Sequence, residues 1–144
     1  MVALSLVMSD PIPCTFDTRL RATIIHFPWP GLFGTYTVTE ETIYFNQVDD
    51  ISVLDFEGTD PLPASDVVKR AKALLGQHNH CCLSYRSSHM SRYCKTGYTN
   101  RNPLLTVPVR SINDLSPGDV IMFRYYGLPH EAVLVRIAEA KDIT

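Results

Sequence analysis

No stretch of this 144-residue chain approaches the roughly 20 consecutive apolar residues needed to span a bilayer. The opening "MVALSLVMSDP" has an apolar run of about six residues and no basic flank, which does not make a secretion signal. An excess of one charge is also lacking. Thirteen Lys and Arg against 15 Asp and Glu leave a net charge of −2, with a pI near 6.2, which argues against a chain whose main task is to neutralise nucleic-acid phosphates. The four cysteines, Cys14, Cys81, Cys82 and Cys94, match neither a disulfide framework nor paired C-x-x-C zinc knuckles, so reduced thiols are expected. These absences together imply a soluble, cytoplasmic protein without a transmembrane segment, unless the native chain runs on beyond Thr144 into an anchor. No motif calls for a cofactor or a metal.

What is present is enough for one core: 45% of the residues are hydrophobic and 10% aromatic, suited to a single globular domain at this length. Residues 1–20 carry Pro11 and Pro13, lack periodicity and read as an irregular arm. Short β-branched and aromatic runs follow at 21–27, 34–38, 41–48 and 51–56, punctuated by Pro28, Pro30, Gly31 and Asp49-Asp50. They read as a four-stranded antiparallel meander, with His26 a half-exposed polar position. The period then changes to helical: Val67, Val68, Ala71, Leu74 and Leu75 recur behind Ser65 as N-cap, with Gly76 at the stop. A second helix lies between Cys81 and Lys95, with Met90, Tyr93 and Cys94 inward and Gly97 as terminator. The segments 119–126 and 130–137 flank "GLP" as a hairpin, expected to join the same sheet as 34–56. Strands, two helices and strands again predict an α+β domain over 21–144, an antiparallel sheet with both helices on one side.

The segments "VVKRAKALLG" and "SSHMSRYCKTG" resemble the second half of the lecithin:retinol acyltransferase-like family, which includes the small H-box/NC phospholipase-acyltransferases and related 2A proteins of some picornaviruses. Members show a helix ending in Leu-Gly, a loop, then N-N-C-E-H-F-x-x-[WY]-C-[KR]-T-G. Counting back from Gly97 lays Tyr85-Arg86 on the two Asn, Ser87 on the nucleophilic Cys and His89 on the next His. "SPGDVIMFRYYGLPHEAVLV" (116–135) is similar to the family's H-box, with His130 at its catalytic His, but it follows the NC-like segment instead of preceding it. "IIHFPWPGLFGTYTV" resembles a second such hairpin in which no His aligns with His130. The resemblance implies an NlpC/LRAT-like fold in permuted order, through duplication or as a tandem domain cut at Thr144, and a site built of a helix-start nucleophile and a strand His.

Ser87 departs from that pattern at its reactive atom, and Tyr85, Arg86 and Ser88 replace the amides and acid around it. A serine there depends on a well-oriented His. Cys81 and Cys82 in "HNHCCL" offer a second placement of a thiol near a helix start, with His78 and His80 close by; their other reading is two buried structural thiols. A zinc cluster of the same four residues lacks the usual ligand spacing. Cys94 reads as core, and His130 as either a retained base or a structural His. Two functions follow: a non-catalytic or impaired acyltransferase-like fold acting as an interaction module with host or viral proteins, as a viral non-structural protein supporting replication in the host cytoplasm if the source is viral, and an active thiol phospholipase or acyltransferase using His130 and a cysteine on phospholipid. Arg86, Arg92, Lys95 and Arg101 form a candidate basic patch for RNA, though without the aromatic interleaving of known modules.

Overall fold

The computed structural model describes residues 19–28, 37–47, 50–56, 61–77, 87–99 and 101–140. In chain order these form strands β1 (Arg19–His26), β2 (Thr39–Phe45) and β3 (Ser52–Asp55), helices α1 (Ala64–Ala73) and α2 (Ser87–Thr96), strand β4 (Leu105–Pro108), a 3-10 turn (Ile112–Asp114), and strands β5 (Val120–Tyr125) and β6 (Leu128–Ala140). The six strands make one antiparallel sheet in the order β2-β1-β6-β5-β3-β4. An α+β domain with a hairpin at 119–137 in the shared sheet is therefore what the sequence specifies. No helix among the described residues is long and apolar enough to cross a membrane.

The sheet is strongly curled. β2 and β5 lie three places apart, so side chains on a flat sheet would stand about 14 Å apart at the usual spacing of roughly 4.8 Å per strand. Yet the Phe45 and Phe123 rings meet edge to face at 5.4 Å. The concave side gathers Leu20, Ala22, Ile24, Ile51, Val109, Leu115, Ile121, Ala132 and Leu134 around that ring pair, each large side chain contributing about 2 kcal/mol by burial. Thr23 pairs with Arg136 but Ile24 with Leu134, so β6 carries one extra residue, Val135. This bulge re-phases the strand: Ala132 and Leu134 face the concave core, and Ile137, three residues on, packs against it again.

The convex side takes the helices. Val67 and Ala71 of α1 and Met90 and Cys94 of α2, each pair one turn apart, bury against Ile25, Phe27, Val38 and Val133. The turn before β5 fixes both helices at once. Gly118 (φ +94) lies so close to the α1 start that a Cβ would stand 2.8 Å from the Ala64 backbone, and its carbonyl accepts from Lys95 Nζ of α2 at 3.1 Å. Strand β4 is a short outer edge with all four residues exposed, preceded by Pro103 and closed by Pro108.

Several local expectations need correction. The first strands do not form a meander: β3 pairs with β5 and β4 on the far side of the sheet, not with β2. Thr37 makes only an isolated bridge and residues 34–36 lie outside the described residues, as does the arm up to residue 18; Arg19 and Leu20 already belong to β1. Helix α1 begins one residue before Ser65, after Pro63, with no side-chain cap; proline's fixed φ and missing N–H suit that position.

The hairpin turn carries strain. Tyr126 (φ 52) and Gly127 (φ 81) both have positive φ, as a two-residue type I′ turn requires, and Asn suits the first position far better than Tyr. Tyr126→Asn should raise stability by about 1 kcal/mol, read as a higher urea midpoint. A lower midpoint would show that the Tyr125–Tyr126 ring contact at 4.7 Å outweighs the backbone term.

Candidate functional site

At one end of the curl, four strands place polar side chains on the concave face. Along β1, Leu20, Ala22 and Ile24 point inward and His26 continues that row, fully buried at 0% exposure. On β6, His130 sits directly across from Phe123 of β5 and shares its face. His26 Nε2 lies 2.8 Å from Glu41 Oε1 of β2, and His26 Nδ1 lies 2.8 Å from His130 Nε2. The Tyr125 hydroxyl of β5 donates to the same Glu41 oxygen at 3.3 Å, while its ring stacks on His130 at 4.7 Å and 27°. Curling brings β5 within reach of β2; a flat sheet would not.

The proton positions follow from the acceptor at one end. A carboxylate only accepts, so Glu41 takes the Nε2 proton of His26. The neutral ring then offers Nδ1 as acceptor to the Nε2–H of His130, and His130 keeps an unprotonated Nδ1 with no hydrogen-bond partner among the described residues. Burial holds both rings neutral. It lowers His26 against the opposing pull of Glu41, and with His26 beside it His130 falls to about 4. Burial and Glu41 together push the Tyr125 phenol up to about 12, so it stays a donor. A carboxylate-imidazole-imidazole chain of this kind orients one terminal base and can take up a proton through it.

The helix side is arranged differently. Ser87 opens α2 and is buried; its Oγ accepts from the Phe27 N–H at 3.1 Å and donates to the Glu131 carbonyl at 2.6 Å, tying the helix start to β1 and β6. The Glu131 side chain, on the face opposite His130, receives Arg92 Nη2 at 2.7 Å, Arg92 Nε at 3.2 Å and Ser91 Oγ at 3.2 Å. Arg92 is steadied in turn by Asn102 Oδ1 at 3.0 Å.

No family model, curated protein or solved structure matches this chain. Ser87 and His130, paired in the sequence reading, make no hydrogen bond to each other: the serine is bound on the helix side, the imidazole on the concave side. Cys94 is packed beside Met90 Sδ at 3.8 Å, and burial pushes its thiol up to about 12, which makes it a core residue and no nucleophile at neutral pH. Cys14, Cys81, Cys82, His78, His80, Tyr85 and Arg86 lie outside the described residues. The basic patch is largely spent internally: Arg92 on Glu131, Lys95 on the Gly118 carbonyl, and Arg101 over the Tyr98 ring at 4.5 Å.

His26 and Glu41 are the site residues that sequence reasoning missed, and the half-exposed reading of His26 is corrected. A signal existed. "RATIIHF" is apolar at both odd and even positions, the mark of a strand covered on both faces, where a His must find buried partners. Glu41 carries no comparable signal, since an alternating edge strand normally shows acids to solvent.

Proposed function

We propose that this chain is an acyltransferase-like domain of the H-box/NC type that has kept the base of its site, lost the nucleophile, and works as an interaction module and not as an enzyme on phospholipid. The reading rests first on the resemblance of "SSHMSRYCKTG" and the 116–135 hairpin to that family. One observation carries it further: the Ser87 hydroxyl, at the position matched to the family's thiol, spends its proton on the Glu131 carbonyl and an acceptor site on the Phe27 amide. An oxygen so held acts as a structural pin between α2 and the sheet. Its partners under this reading are proteins, since Arg92 and Lys95 of the basic patch bond within the fold.

A second reading is favoured by the persistence of the Glu41–His26–His130 chain, a buried polar network that costs free energy unless fully satisfied. Here the domain is an active thiol acyltransferase with Cys81 or Cys82 delivered to His130.

Both readings meet one experiment. Wild type and Ser87→Cys are incubated with a labelled phosphatidylcholine and inspected by mass spectrometry for an acyl adduct. No adduct is expected on either. Ser87→Cys should also lose about 1–2 kcal/mol, because a thiol is a weak donor and leaves a buried amide and carbonyl poorly satisfied. An adduct on residue 87 of the variant would reject the structural-pin account, and one on Cys81 or Cys82 would establish the second reading.

A further inference from the structure

The same hydrogen-bond chain has chemistry of its own that needs neither serine nor thiol. His130 Nε2 is committed to His26 Nδ1, and His26 Nε2 to Glu41, which leaves His130 Nδ1 as the one ring nitrogen of the pair without a hydrogen-bond partner among the described residues. His130 is also only partly buried, whereas His26 is wholly enclosed. Tyr125 stacks on the ring and fixes its plane. We infer that His130 Nδ1 is a nucleophilic acyl acceptor that takes the acyl group of small activated esters and passes it to water.

In the first step the Nδ1 lone pair forms a bond to the carbonyl carbon, and the carbon–oxygen bond to the leaving group breaks, so the phenolate departs with the electron pair. As positive charge develops on the ring, the Nε2 proton moves to His26 Nδ1 and the His26 Nε2 proton to Glu41, leaving a neutral acyl-imidazole. In the second step water adds to the same carbon, the carbon–nitrogen bond breaks, and the protons return along the chain. Ester and water become acid and phenol, with the protein unchanged. Glu41 and His26 are positioning residues here, acting through His130.

Three groups face the His130 ring: His26 from β1, Tyr125 from β5 and, through His26, Glu41 from β2. Burial, with His26 beside it, keeps the ring unprotonated down to about 4. At about pH 5 an ordinary histidine is only a few per cent neutral, so the available fraction at His130 exceeds it by about thirtyfold. Part of that advantage is offset by lower basicity, and a net gain of about tenfold is expected.

The test uses the full chain at about pH 5. Diethyl pyrocarbonate with peptide mapping should label His130 about tenfold faster in the folded than in the urea-unfolded chain, and should spare His26. With p-nitrophenyl acetate the folded chain should release nitrophenol about tenfold faster than the unfolded one. His130→Gln, checked for folding by circular dichroism, should abolish the excess. Glu41→Gln should reduce it by about tenfold and move the pH profile. Equal labelling of His130 folded and unfolded, or an excess rate that survives His130→Gln, would overturn the proposal. Neither outcome bears on phospholipid transfer, which the phosphatidylcholine assay reads separately.

Discussion

Acidification from pH 6.5 to about 4 is expected to strip the protein of a large part of its stability. His26 and His130 bind protons more weakly folded than unfolded, both shifted below 6.5 and His130 to about 4, chiefly by burial. In this window the unfolded chain therefore holds more protons, and stability rises with pH. The histidines impose no penalty above 6.5, and the loss accumulates as pH falls through the window. For His130 alone the shift corresponds to about 3 kcal/mol, reduced to about 2 kcal/mol because solvent reaches its ring; His26 adds in the same direction. Asp119 works in the opposite sense, since burial raises its carboxyl and the folded state then gains protons at the acid end. Urea midpoints measured across the window should fall steadily for the wild type. They should flatten for the double variant His26→Gln/His130→Gln. A wild-type profile flat between 4 and 6.5 would mean that the two rings are not held neutral.

The second large effect is expected on the other face of β6. Arg92→Ala should cost about 3 kcal/mol, because it leaves the Glu131 carboxylate, 8% exposed, with Ser91 as its remaining side-chain partner. The loss comes from the stranded charge more than from the attraction removed. The double variant Arg92→Leu/Glu131→Leu should consequently recover most of it, a coupling that a double-mutant cycle measures directly. A single-variant cost below about 0.5 kcal/mol would place Glu131 in water and undo the account of how α2 is seated.

Much of this architecture was legible in the chain. Helical spacing from Val67 to Ala71 and the inward side of α2 at Met90 and Cys94 follow from period alone, and "GLP" between two apolar runs marks the β5–β6 hairpin. Strand order was not legible, because alternation states which side of a strand is buried and not which strand lies beside it. β3 lies on the far side of the sheet behind Ile51, a residue that reads the same in either arrangement. The site was half legible: His130 stood out by its place before an apolar strand. His26 looked like an interruption because its partners, Glu41 and His130, lie 15 and 104 residues away. The cap of α1 was misplaced for a local reason, since Ser65 is a good N-cap type but Pro63 already fixes the turn before it.

Strand β4 sets a limit on how copies of this domain can join along its edge of the sheet. An open strand edge is a template, and a foreign strand laid against it grows for as long as it finds amides. Here Pro103 stands before the strand and Pro108 ends it, so both margins lack the N–H that would extend a ladder. A guest could register along no more than the stretch between them, too few bonds to hold a fibril seed together despite the oily side chains of Leu104, Leu105 and Val107. The exposed rim is thus sticky but terminating, and what its composition would promote in assembly its backbone stops after one short step.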